Sequence, residues 1–80
     1  MPEYNITVTH STSGKEIVLA VEEKFTVSSV LDVLAENLQL KDRFVLATKD
    51  NKILSPEATL AEAGVLTGSE LILMPDPTGG

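Results

Sequence analysis

Polar and apolar residues alternate at the start of the chain, which is the pattern of a strand with one buried face. Ile6 and Val8 stand between polar neighbours, and this alternation predicts a first strand over residues 4 to 10. A Ser-Thr-Ser-Gly sequence at residues 11–14 is typical of a turn, and the alternation resumes over residues 16–21. The two segments together predict a β-hairpin.

After the hairpin the apolar residues are spaced by three and four positions, which places them on one face of a helix. These residues are Val27, Val30, Leu31, Leu34 and Leu38. Thr26 precedes them, and a threonine at that position can accept a hydrogen bond from the free N–H groups of a helix start. We therefore expect a helix of about twelve residues whose apolar stripe packs across one face of a sheet.

Shorter elements fill the second half of the chain. Residues 43–47 predict a short strand, and Ile53-Leu54 predicts a second, very short one. Residues 59–64 are typical of a single capped helical turn that ends at a glycine. Residues 71–74 are all apolar, which favours a last strand inside the sheet. The fold class is α+β, with one helix packed across a mixed sheet of about five strands.

Composition and charge limit the classes of function that this chain can have. The chain has 80 residues, 42% hydrophobic and 22% charged, as in one small globular domain. Six basic and twelve acidic residues give a net charge of −6, so nucleic acid and anionic membranes are not expected partners, because both are bound through clustered Lys and Arg. The absence of cysteine removes disulfides and thiolate nucleophiles. Neither a signal peptide nor a membrane-spanning run is present in the sequence, so we expect a cytoplasmic domain.

The order of elements and the residues at their joints resemble ubiquitin and its β-grasp relatives along the whole chain. The inward positions of the first hairpin carry Ile6, Val8, Ile17, Leu19 and Val21. Further matches are Thr26-Val27 at the helix start, Phe44 and Leu54 in the core, and Thr59-Leu60, Val65, Ser69, Leu71 and Leu73 towards the carboxyl end. The resemblance implies a ubiquitin-like β-grasp domain over residues 1–75 and a conjugation tail over residues 76–80, ending in the family's di-glycine, Gly79-Gly80.

The resemblance also implies chemistry at Gly80. An E1-like enzyme would adenylate its carboxylate with ATP and Mg²⁺ and take it up as a thioester, and an E2-like enzyme would deliver it to target proteins. A deubiquitinase-like protease would remove it again. The domain itself is expected to bind no cofactor and to be no enzyme, because the sequence lacks a phosphate-binding loop, a nucleophile beside a histidine and a metal-ligand cluster. We expect a monomer.

The tail departs from the family in one informative way. Its residues before the di-glycine, which are expected to contact the E1-like and E2-like enzymes, are Pro75, Asp76, Pro77 and Thr78. Asp76 stands where the family has an arginine that its activating enzyme reads, so the charge is reversed. The usual ubiquitin machinery would not fit this tail, and a dedicated set of enzymes is expected.

Other family positions carry further expectations. Val45 and Met74 match the hydrophobic recognition patch, on the face opposite the helix, and would form a partner-binding patch if both are exposed. Lys15 and Lys52 match lysines that accept another modifier. His10 is interpreted as a surface residue near a turn, without a catalytic role.

Three functions stay open at this point. The preferred one is a protein modifier attached through Gly80, of the bacterial or archaeal type that the short hairpins and unusual tail resemble, in a conjugation pathway of antiviral defence. The second is a sulfur carrier, in which the adenylated glycine becomes a thiocarboxylate. The third is a non-conjugated interaction domain, similar to those associated with some bacterial secretion systems. Loss of Gly80 would leave only the third function intact.

Overall fold

The computed structural model of this protein describes residues 3–41 and 43–76. Four strands and one helix follow each other in the order β1 (Tyr4–His10), β2 (Glu16–Val21), α1 (Val27–Leu38), β3 (Phe44–Thr48) and β4 (Glu70–Pro75). The hairpin, the helix, the strand after it and the last strand agree with the sequence predictions. The fold is ubiquitin-like, with one helix packed on a mixed sheet.

The sheet has the strand order β2-β1-β4-β3. The central strands β1 and β4 run parallel, with Val8 opposite Leu71, and the two outer pairs, β1–β2 and β3–β4, are antiparallel. Strands β1 and β4 are far apart in sequence, so the centre of the sheet depends on a long-range pairing. The hydrophobic pattern fixes this register, because a slip of one residue would turn the buried face of a strand outwards.

The described residues form a sheet of four strands, where the sequence predicted about five. Ile53 makes only an isolated bridge to Ala47, and Leu54 donates its N–H to the carbonyl of Leu46 at 2.8 Å. The segment cannot extend further because Pro56 follows within two residues, and proline has no N–H to give to a ladder. The side chain of Leu54 still reaches the core, as the sequence predicted.

The core lies between α1 and one face of the sheet. Its buried members are Ile6, Val8, Val21, Val27, Val30, Leu34, Leu46, Leu54, Leu60, Val65, Leu71 and Leu73. Ile17, Leu19 and Phe44 are only half-buried against this cluster, because they lie towards its margins. Leu34 is fully buried at the centre of the helix, and truncating such a side chain typically costs about 2–5 kcal/mol.

The start of α1 is held by side-chain and backbone acceptors. Thr26 caps the helix as predicted, because its Oγ1 accepts the N–H of Ser29 at 3.1 Å. The preceding two N–H groups donate to the loop before the capped turn, Val27 to the carbonyl of Ala58 and Ser28 to that of Pro56, both at 2.9 Å. Three N–H groups that have no partner inside the helix are thereby satisfied.

The capped turn predicted at residues 59–64 is present. The hydroxyl of Thr59 accepts the N–H of Glu62, and the N–H of Ala63 donates to the Thr59 carbonyl at 2.9 Å. Gly64 has a φ of +78°, a left-handed conformation that ends the turn, and the N–H of Val65 then donates to the carbonyl of Leu60. The turn therefore delivers Leu60 and Val65 into the core.

Candidate functional site

Strand alternation divides the side chains of β3 and β4 between the two faces of the sheet. Leu46 and Leu73 are partners in the core, so the neighbouring partners Val45 and Met74 point away from α1. The next outward pair is Ala47 and Ile72, and the bridge to Ala47 places Ile53 on the same face. We define the outer patch by these five residues: Val45, Ala47, Ile53, Ile72 and Met74.

The members of the outer patch differ in their exposure. Ile53 is 47% exposed, Ile72 and Met74 are half-buried, and Val45 and Ala47 are buried. The structure thus brings Val45 and Met74 together on the face opposite α1, but Val45 does not meet the condition that both be exposed. A docking role of these two residues stays a prediction, and the accessible apolar surface is offered by Ile53, Ile72 and Met74.

Ile53 and Ile72 were not assigned to the patch by the sequence. Ile72 lies two residues before Met74 on the same strand, so alternation within residues 71–74 could have found it. That segment was interpreted as a strand inside the sheet because all four of its residues are apolar, and Met74 alone was assigned to the outer face. Ile53 carried no such signal, because its position depends on a single bridge across a turn.

Lys49 borders the outer patch, because its partner Glu70 lies two residues before Ile72 on the same face of β4. Lys49 forms an ion pair with Glu70, and both side chains are largely exposed. The predicted acceptor lysines Lys15 and Lys52 also lie at exposed positions, in the turn between β1 and β2 and in the turn after β3. Their role as acceptors stays a prediction.

The tail leaves the sheet at the end of β4. Pro75 is the partner of Phe44 at the last rung of the β3–β4 pair, and the N–H of Asp76 donates to the carbonyl of Arg43 at 3.0 Å. The remaining predicted tail and conjugation residues, Pro77, Thr78, Gly79 and Gly80, lie outside the described residues. Pro75 and Asp76 are therefore the part of the tail whose position is known.

The interpretation of His10 as a surface residue is wrong. His10 is the last residue of β1, on the same face as Ile6 and Val8, and it is 9% exposed. Its Nδ1 lies 2.8 Å from the hydroxyl of Ser13, its ring centroid lies 5.6 Å from that of Phe44, and its Nε2 is buried without a hydrogen-bond partner in the described chain. The turn folds back over the strand end and covers the ring.

Residues 3–41 and 43–76 hold no group of three or more histidine, cysteine or acidic side chains placed to bind a metal ion. They also hold no helix with the length and apolar character needed to span a membrane.

Comparison with solved structures gives the class of the protein, a ubiquitin-like domain. The ubiquitin-like domain of Dsk2 from Plasmodium falciparum superposes with a TM-score of 0.82 and 26% identity, over 94% of this chain and all of that one. Ubiquitin from Caldiarchaeum subterraneum gives a TM-score of 0.83 and 23% identity, over 99% and 100% of the two chains. The EccD5 ubiquitin-like domain from Mycobacterium xenopi gives 0.71 and 18%, over 91% and 93%. The last two, at these identities, show the fold alone.

The sequence itself identifies the family. Residues 5–73 match the model of the family described as protein YukD of the WXG100 protein secretion system. The chain belongs to this family. No curated protein sequence matches it.

Membership of this family agrees with the prediction that the chain is not an enzyme. YukD-type ubiquitin-like domains are not catalytic. Ubiquitin-like domains in general mediate contacts between proteins.

Proposed function

We propose that this chain is a non-conjugated ubiquitin-like domain of a WXG100-type secretion system, and that it binds a protein component of that system through the outer patch. The family match over residues 5–73 carries the proposal. The proposal includes a monomeric domain in the cytoplasm. It replaces the preferred sequence interpretation, a modifier in antiviral defence, because the matched family belongs to secretion.

The side chains of the outer patch are suited to contact with a partner protein and not to catalysis. Its accessible side chains, Ile53, Ile72 and Met74, are apolar, and methionine adapts its shape to different partners. The Lys49 and Glu70 side chains beside them supply a polar rim of the kind that surrounds the apolar centre of an interface. A patch with three accessible apolar side chains suits a small, reversible interface better than a permanent one.

The experiment is complementation in the host that encodes the chain. Its gene is deleted and replaced by variants, and the amount of WXG100 protein in the medium is measured by immunoblot. Met74→Glu places a charge in the outer patch and is expected to reduce secretion at least about tenfold, as expected for loss of an interface anchor. Leu66→Glu is the matched control, because Leu66 is 69% exposed and lies off the sheet. It should secrete normally.

Binding is measured with purified proteins in parallel. Each secretion-system protein encoded beside the gene is titrated with the wild type, Met74→Glu and Leu66→Glu. A partner that loses affinity only for Met74→Glu supports the proposal. Normal secretion and unchanged binding by a folded Met74→Glu protein would show that the outer patch is not the docking surface.

The conjugated modifier stays as a second candidate because the sequence carries Gly79-Gly80. It would need the E1-like, E2-like and protease partners, with Lys15 and Lys52 as acceptors for chains. A variant that lacks Gly79 and Gly80 separates the candidates, because an interaction domain keeps its function without them. A Gly-Gly remnant on target lysines, lost in this variant, would establish the modifier. Replacement of oxygen by sulfur at the terminal carboxylate would establish the sulfur carrier.

A further inference from the structure

A second apolar surface lies at the edge of the sheet that is opposite β3, between β2 and α1. It is a groove of about 320 Å³, lined by Leu19, Val21, Phe25, Val30 and Val33 together with Ser29 and Ala20. Phe25 is 38% exposed and Val33 is 45% exposed, although both are apolar. Two exposed apolar side chains at one concave site indicate a binding surface, because isolated exposed residues line no groove.

The strand beside this groove has an open edge. β2 is the outermost strand, and within the described chain it pairs with β1 alone. The N–H of His10 donates to the carbonyl of Lys15 at 2.7 Å, which fixes the alternation of the β1–β2 ladder. The backbone N–H and C=O groups of Ile17 and Leu19 therefore form hydrogen bonds with β1, whereas those of Val18 and Ala20 point away from it.

Open backbone groups next to an apolar groove suit an extended peptide. Such a peptide adds a strand to the edge, and its main chain exchanges hydrogen bonds with Val18 and Ala20. Its alternate side chains then lie on the same side of the sheet as Leu19, which is the side of the groove. Aliphatic side chains at every second position would fill it.

Charge favours a foreign peptide over a second copy of this chain. Glu16 and Glu22 stand at the two ends of β2, with Lys15 and Lys24 beyond them in the chain, and Glu36 lies three residues after Val33 on α1. In an antiparallel pair of β2 strands with Val18 opposite Ala20, Glu16 of each copy would lie opposite Glu22 of the other. Like charges in that position destabilise the pair, and both molecules carry a net charge of −6.

We infer that the β2 edge and the groove beside α1 bind an extended peptide segment with aliphatic residues at alternate positions and Lys or Arg at its ends. This site is separate from the outer patch, which lies at the other edge of the sheet and on its other face. The chain can therefore hold two partners at once.

The test titrates the ¹⁵N-labelled full chain with the peptide acetyl-Lys-Arg-Val-Thr-Ile-Ser-Val-Lys-Arg-amide and follows amide signals by NMR. Saturable shifts are expected at Val18, Ala20 and Val33. Val33→Ser is expected to weaken binding about fivefold, because it removes roughly 1 kcal/mol of apolar contact. Leu66→Ser is the matched control, because Leu66 is 69% exposed but belongs neither to this groove nor to the outer patch, and its affinity should equal that of the wild type.

Two further comparisons test the strand pairing and the charge. Val18→Pro removes an N–H that points to the open edge and not to β1, and it should abolish binding while circular dichroism shows a folded chain. Two peptides, N-methylated at the odd-numbered or at the even-numbered amides, test the same bonds without altering the protein. The peptide whose methyl groups face β2 should bind at least about tenfold more weakly than the other. A peptide with Glu in place of Lys and Arg should also bind more weakly.

The outcomes that overturn the inference are specific. Shifts confined to Ile72 and Met74 would place the peptide on the outer patch. Equal affinities of the two N-methylated peptides would exclude strand pairing. Shifts at Val18 that depend on protein concentration, without peptide, would assign the edge to a second copy. Absence of saturable shifts at millimolar peptide would remove the site. None of these results bears on secretion by Met74→Glu, so the two proposals fail independently.

Discussion

Val45 and Met74 lie opposite each other across β3 and β4 on the same face of the sheet, yet their exposures differ. Val45 is 8% exposed, whereas Met74 is half-buried. A cross-strand pair of the outer patch therefore contains one residue that supports the fold and one that a partner can touch.

This difference predicts losses of stability of different size for the same substitution at the two positions. Val45→Glu should lower the free energy of unfolding by about 2–4 kcal/mol, because it buries a charge without a partner. Met74→Glu should lower it by less than about 1 kcal/mol, since the new carboxylate can reach water. Urea denaturation of both variants measures the difference. Equal stabilities would show that Val45 is as accessible as Met74, and Val45 would then become a valid probe of binding.

Thr59 and Glu62 predict a pH dependence of stability. The N–H and the hydroxyl of Thr59 both donate to the Glu62 carboxylate, which holds the pKa of Glu62 below its ordinary value of 4.5. A carboxyl whose pKa is lowered by folding stabilises the native state above its unfolded pKa, and the contribution is lost as pH falls through the folded pKa. Glu62→Gln should therefore be less stable than the wild type at neutral pH, and the gap should narrow below pH 4.5.

Denaturant titrations at several pH values between neutrality and acid measure this gap. Glu57→Gln makes the same charge change in the neighbouring loop and corrects for net charge. A gap between Glu62→Gln and the wild type that stays constant as the pH falls would contradict the prediction. Thr59→Ala removes the hydroxyl of the same cap and should cost about 1 kcal/mol.

Two left-handed positions predict stability changes of opposite sign. Gly64 has a φ of +78°, and a Cβ added there would meet no atom within 4 Å, so the cost of Gly64→Ala, about 1 kcal/mol, comes from the backbone alone. Gln39 ends α1 with a φ of +55°, and Gln39→Gly should raise stability by about 0.5 kcal/mol. Thermal unfolding of both variants checks the signs. A stabilising Gly64→Ala would contradict the left-handed conformation of that residue.

The ion pair between Lys49 and Glu70 predicts a small coupling. Both side chains are largely exposed, with relative exposures of 65% and 52%, so water and salt screen their attraction. A double-mutant cycle with Lys49→Met and Glu70→Gln should give a coupling below about 1 kcal/mol that fades at high salt. A coupling that is larger, or that does not respond to salt, would show that the pair is shielded from solvent.

The strongest sequence signals concerned elements whose pattern is repeated several times. The apolar spacing from Val27 to Leu38 and the alternation around Ile6 and Val8 set both the type of element and its buried face. The capped turn at residues 59–64 followed from residues with a direct conformational role, a threonine at the start and a glycine at the end. These features are local, so their physical causes can be read from neighbouring residues.

The errors concerned features that depend on distant neighbours. Alternation places Val45 on the outer face, but it does not say how much of the side chain its neighbours cover. The burial of His10 depends on Ser13 in the turn and on Phe44 in another strand. The extent of pairing at Ile53 depends on the geometry of the turn before it, which a two-residue apolar run does not determine.

The parallel pairing of β1 with β4 also has a consequence for the synthesis of the protein. The hairpin and α1 can form as soon as they leave the ribosome, but the apolar face around Ile6 and Val8 lacks its central neighbour until β4 has been made. Loop closure between such distant strands comes late, and exposed strand edges are the parts of a nascent chain that aggregate. Chaperone contacts during translation should therefore concentrate on β1 and end once Pro75 has emerged.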